Sequence, residues 1–84
     1  MNQQQKRIGV IAIIVKDPAN THEKLNSILH YHSNLIVGRL GVPRQQEKLS
    51  IISLIVEGTT DEVGALTGKL GQLPSVSVKT AFAK

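Results

Sequence analysis

Two stretches decide the fold: Ile8-Gly9-Val10-Ile11-Ala12-Ile13-Ile14-Val15 and Leu49-Ser50-Ile51-Ile52-Ser53-Leu54-Ile55-Val56. Both have the length of strands, and both are apolar at nearly every position. In an extended strand successive side chains point to opposite sides, so Ile8, Val10, Ala12 and Ile14 line one face while Ile11, Ile13 and Val15 line the other. Both faces therefore need cover. A chain of 84 residues has room for one layer of helices, which covers one face of a small sheet. The other face is expected to meet a second copy.

Working outward from the first run, Asp17-Pro18-Ala19-Asn20-Thr21 opens a helix. Either Asp17 caps it with Pro18 at the first position, or Asn20 caps it with Glu23 three residues on. Leu25, Ile28, Leu29 and His32 recur at the spacing of one buried stripe, with Glu23, Lys24, Asn26 and Ser27 turned outward. The helix ends near Ser33-Asn34. Leu35 to Val42 then reads as a strand interrupted by Gly38 and Gly41 and closed by Pro43, which suits an edge position. Arg44 to Lys48 is a polar turn into the second buried run. After it, Thr59 with Glu62 makes a capping-box pattern. The helix that follows has Val63, Leu66, Leu70 and Leu73 as its stripe and Pro74 at its exit. Val76, Val78, Thr80 and Phe82 alternate with Ser77, Lys79 and Ala81, the pattern of a half-buried last strand.

The order strand, helix, strand, strand, helix, strand predicts an α+β ferredoxin-like βαββαβ fold, a four-stranded antiparallel sheet with both helices on one face. Right-handed crossovers place the first and third strands centrally and the second and fourth at the edges. This matches the distribution of apolar, glycine and proline residues. The chain is expected to divide into a flexible leader, 1–6, and one domain, 7–84.

Composition excludes several classes. There is no cysteine, hence no disulfide, thiolate metal site or thiol nucleophile. The apolar run after the polar amino end is too short to span a bilayer and lacks a signal-peptide pattern, which predicts a cytoplasmic protein. The net charge of +4 is carried by scattered lysines and arginines, with only Tyr31 and Phe82 as aromatics. Without a basic stripe or a recognition helix, DNA binding by the chain alone is not expected. A domain this small buries only about 60% of its unfolded surface, which favours a homo-oligomer.

Three constellations are candidates for chemistry. His30-Tyr31-His32 offers imidazoles for a transition metal. Residues two apart on a helix diverge by about 200°, and histidines are electrostatically favoured at a helix carboxyl end in any case. Gly64-Ala65-Leu66-Thr67-Gly68-Lys69-Leu70-Gly71 resembles a phosphate loop but has three residues between its first glycines and no hydroxyl residue after the lysine. Each helical glycine costs about 1 kcal/mol relative to alanine. Gly64, Gly68 and Gly71 share one side, so close approach of a sheet, another helix or a neighbouring subunit is the expected reason, with a ligand as the alternative. Arg39-Leu40-Gly41-Val42-Pro43 sets an arginine beside an open glycine on an edge strand. That arginine can bind a carboxylate or phosphate, or pair with Glu47 or Glu57 of its own or another subunit. No catalytic triad, paired carboxylates or metal-water set is readable, so the chain is not expected to be an enzyme.

The segments Lys6-Arg7-Ile8-Gly9-Val10, Ile28-Leu29-His30, Ile36-Val37-Gly38-Arg39-Leu40-Gly41-Val42-Pro43, Ala65-Leu66-Thr67-Gly68-Lys69-Leu70-Gly71 and Val76-Ser77-Val78-Lys79-Thr80 together resemble the small regulators of the iron-only hydrogenase system. The resemblance covers nearly the whole chain after the leader. It implies an ACT-like domain that senses and regulates. More distantly, the strand and helix order is similar to the carboxyl-terminal, metal-sensing domain of the nickel-responsive repressor, which implies a tetramer. His30 falls where that domain has a nickel ligand. Gly41 and Pro43 stand where its next histidines would be, its cysteine ligand has no counterpart, and its DNA-binding arm is missing.

The combined reading is a non-enzymatic regulatory module, a dimer through sheet faces or a tetramer, that binds a small effector through Arg39, Gly41, Gly68 and Lys69, with His30 as a weak metal candidate. No cofactor is required by the sequence. The alternatives are a structural or adaptor oligomer in hydrogenase maturation that binds a protein partner without a ligand, and a transcriptional regulator contacting DNA directly.

Overall fold

Along β1 (Arg7–Val15) burial alternates at every residue from Ile8 onward: Ile11, Ile13 and Val15 are closed off, while Ile8, Val10 and Ile14 stay exposed. The computed structural model describes residues 5–83, so most of the leader expected to fray lies outside the described residues. After β1 come α1 (Pro18–Tyr31), a 3-10 turn over Ser33–Leu35, β2 (Ile36–Arg44), β3 (Leu49–Gly58), α2 (Thr60–Gly71) and β4 (Val76–Phe82). All pairings are antiparallel and the sheet order is β2-β3-β1-β4. This is the ferredoxin-like arrangement expected from the sequence, with the two most apolar strands in the centre.

Both helices pack on one face. Leu25 and Leu29 of α1 and Val63, Leu66 and Leu70 of α2 meet Ile11, Ile13, Val15, Ile52, Leu54 and Val56 of the sheet. Ile28 and Leu73 pack partly against this core, as their stripe positions predict, and Thr21 is buried at the start of the α1 stripe. Asp17 precedes the helix with Pro18 in its first turn, so the first of the two expected openings is realised. Its side chain makes no capping bond and instead accepts from Asn20 Nδ2 at 2.9 Å. In α2 the capping box is complete: Glu62 N donates to Thr59 Oγ1 at 3.1 Å and Thr59 N donates to Glu62 Oε1 at 2.8 Å.

The second strand differs from expectation in three ways. Leu35 belongs to the 3-10 turn, where it is buried, rather than to the strand. Pro43 does not close β2 but pairs with Ser50 inside it, which an edge strand tolerates because no neighbour lies on its outer side to need the missing donor. The third is a bulge: Ile36 pairs with Val56, but Gly38, not Val37, pairs with Ile55. Two residues of β2 oppose one step of β3 there, and the alternation of faces resets. Beyond the bulge Arg39 pairs with buried Leu54 and Gly41 with Ile52, on the helix side. Leu40 pairs with Ser53 and Val42 with Ile51, on the outer side. The turn to β3 ends on Lys48, held at φ 57°, with its N–H donating to Gln45 O at 3.2 Å.

Candidate functional site

The bulge places Arg39 against α1. On that helix His22, Asn26 and His30 recur every four residues, a spacing that puts one side chain above the next along a single face. A cleft of about 420 Å³ runs between α1 and the β2–β3 hairpin, lined by His22, Asn26, Arg39, Gly41, Arg44 and Lys48 over an apolar base that includes Val15, Leu25 and Ile52. A second depression of similar size, bounded by Asn26, Leu29, His30, Ser33 and Ile36, shares Arg39 as its wall. Two sequence candidates, Arg39 and Gly41, thus border one cleft, and His30 stands next to it across Arg39. Gly41 leaves that wall open, since a methyl group added there would meet nothing within 4 Å.

The electrostatics of the cleft are one-sided. None of its described lining residues carries a carboxylate. The ion-pair reading of Arg39 is not realised within the chain, because Glu47 accepts instead from Arg44 Nε at 3.0 Å and Arg39 has no ion pair among the described residues. Glu57 is unavailable to Arg39 for a topological reason. It pairs with outward-facing Ile8, so it stands on the opposite face of the sheet. His22 Nε2 lies 3.1 Å from the Asn26 side-chain amide, within hydrogen-bond distance.

Gly68 and Lys69 are elsewhere. Both are exposed on α2 and line neither depression that Arg39 borders. The close approach expected at Gly64, Gly68 and Gly71 is absent within the chain: a methyl group at any of the three meets nothing within 4 Å. The sheet and the other helix are therefore not the reason for these glycines. The close approaches occur at Gly9, where a methyl group would come 2.9 Å from Ala81 O, and at Gly58, where it would come 2.9 Å from a Leu35 methyl.

The histidines do not converge. His32 Nδ1 donates to Ile28 O at 2.9 Å at the end of α1, while His30 is exposed. Among the described residues no group of three or more His, Asp or Glu side chains is placed to hold a metal ion. The sequence reading assigned no site role to His22, Asn26, Arg44 or Lys48. The signal available was the four-residue recurrence of His22, Asn26 and His30, which matters only once β2 is known to run beside that face.

The outer face of the sheet is apolar and uncovered. Val10 is 44% exposed, Ile55 46% and Leu40 65%, and Ile14, Ile51 and Val42 continue the patch across three strands. No helix among the described residues is long and apolar enough to cross a membrane.

Comparison with known proteins fits this geometry. An uncharacterized protein, TM1266 from Thermotoga maritima, is 39% identical, with 95% of this chain and 100% of that chain covered and a TM-score of 0.91. CPII from Thiomonas intermedia K12, described as a nitrogen regulatory PII-like protein, shares the fold at 16% identity, 95% and 91% coverage and a TM-score of 0.60. The same protein solved with ADP, AMP and acetate superposes at 16% identity, 99% and 93% coverage and a TM-score of 0.50. No curated protein matches the sequence. Residues 7–80 match the model of a family of regulators, not of enzymes, and the chain belongs to that family, TM1266-like, described as "Iron-only hydrogenase system regulator, putative".

Proposed function

We propose that this regulator acts as a cytoplasmic, non-enzymatic sensor: residues 7–84 form one ACT-like domain that dimerises through its outer sheet face and binds a small effector in the cleft between α1 and β2. The observation that carries the reading is Arg39, turned into that cleft and left without an ion pair among the described residues. Supporting the dimer is the patch of exposed isoleucine, valine and leucine on two central strands and one edge strand. A PII-like protein of this fold has been solved with adenine nucleotides and acetate, an instance of the fold carrying small molecules. Gly68 and Lys69 lie outside the cleft of their own chain, so in this reading they reach it from a further copy in a tetramer and not across the sheet-face dimer.

The mechanism is a population shift. An effector held in the cleft changes the arrangement of subunits by its differential affinity for two states, and a partner in the hydrogenase system reads the difference. Native mass spectrometry of gently purified protein tests this. The expected result is a dimer or tetramer with a retained small molecule, and loss of that molecule in Arg39→Gln. A bare oligomer that co-purifies a protein at fixed stoichiometry, with no metabolite shifting its melting temperature, would replace the sensor with the adaptor.

A further inference from the structure

We infer that the cleft is built for an elongated organic anion with an acidic group, carboxylate or phosphate, at each end and a short apolar middle. The inference rests on the effector-binding reading and adds the chemistry of the ligand. Its first support is the charge of the walls. Arg39, Arg44 and Lys48 line the cleft and no described lining residue is acidic. Glu47 takes one Arg44 donor from outside that lining, which tempers but does not cancel the positive charge of the hairpin end, where Lys48 also stands.

The second support is the placement of the cations. Lys48 stands at the hairpin end beside the Arg44–Leu49 pair, five residues along β2 from Arg39, so the backbones of Arg39 and Lys48 are separated by about 16 Å. Arg44, an odd number of positions from Arg39, alternates to the outer side and pairs with Glu47. The positive charge therefore falls at two ends rather than at one point. Between them the wall is Gly41, with open space where a side chain would be, and the base is Val15, Leu25 and Ile52. A compact anion would engage one end only. A chain with acidic termini engages both and lays its methylenes over the apolar base. Guanidinium groups suit this task because they bind carboxylate and phosphate in paired hydrogen bonds. Along the helix wall, the His22 ring and the Asn26 amide add polar side chains to the lining.

The backbone supports the same end of the site. Lys48 is held in the left-handed region at φ 57° by the tight turn from Gln45, which fixes where its side chain departs. Asparagine tolerates that conformation, so Lys48→Asn removes the charge without disturbing the turn.

The test is titration of the full chain with the α,ω-dicarboxylates from succinate to suberate, with an alkane bisphosphate of matched length, and with hexanoate and inorganic pyrophosphate, all at constant ionic strength. Binding is followed by amide chemical shifts and calorimetry. The expected result is an affinity that rises with chain length among the dicarboxylates and exceeds that of hexanoate and pyrophosphate, with shifts at His22, Asn26 and Gly41. Arg39→Gln and Lys48→Asn should each weaken it about tenfold or more, while Lys24→Gln, an exposed α1 lysine outside the cleft lining, leaves it unchanged. Preference between dicarboxylate and bisphosphate then assigns the acidic group. Length-independent binding, or equal loss in Lys24→Gln, would reduce the effect to general surface charge and overturn the inference. A neutral metabolite that moves the cleft amides when none of the anions does would overturn it too, while leaving the effector reading intact. If neither the anions nor a metabolite extract moves those amides, both fall.

Discussion

Gly9 stands on β1 where β4 passes closest, and a methyl group there would come within 2.9 Å of the Ala81 carbonyl oxygen and 3.0 Å of the Phe82 ring. Backbone cannot give way as a flexible side chain can, so Gly9→Ala should destabilise the chain by about 1–3 kcal/mol, measured by urea unfolding. An unchanged midpoint would mean that the β1–β4 pairing relaxes without cost. The sequence shows Gly9 only as a gap in an apolar run, because the reason for it lies in a strand some 70 residues away. Arg39 was legible as a candidate for the site from its neighbours Gly41 and Pro43. Its lack of an ion pair was not, since the rival choice, Glu47, was settled by the local geometry of the Arg44–Glu47 turn.

Among the elements, the two helices illustrate what pattern reveals and what it hides. The capping box at Thr59 and Glu62 and the stripe through Val63, Leu66 and Leu70 were readable because they are local, repeating at fixed offsets. The glycines of α2 were assigned to close packing, yet the space beside Gly64, Gly68 and Gly71 is open. Alanine at each position should raise helix stability by about 0.5–1 kcal/mol in the isolated chain, seen as a higher melting temperature. If the same substitutions weaken self-association or capture of a hydrogenase-system protein, the glycines serve a contact between molecules; if association is untouched, that role is excluded. The bulge at Val37 was not legible, because two opposing one is a property of the pairing with β3 and not of the β2 sequence. Yet it decides the site. With uninterrupted alternation from Ile36, Arg39 would point to the outer face and Leu40 into the cleft.

At the scale of the whole molecule, the order of strands follows from which runs are apolar on both sides, and this was the most legible property of the chain. The same property leaves one broad face without cover. Ile55→Lys, paired across the sheet from Val10 and Gly38, places a charge in the middle of that face. The expected outcome is a monomer in sedimentation velocity where the unaltered protein is a dimer or larger. A variant that sediments unchanged would move the interface to another surface, with α2 and its glycines the next to examine.

In the dimer proposed above, the outer face also ties the persistence of this protein to its abundance. Burial of that face on a second copy is bimolecular, so the folded fraction of such a small chain rises with the number of copies present and falls on dilution. A cell that lowers synthesis of the regulator would then lose it faster than in proportion, as subunits separate, open and become substrates for proteases. The apolar strands that hold the sheet together would in this way act as a threshold, below which no regulator accumulates and above which it lasts.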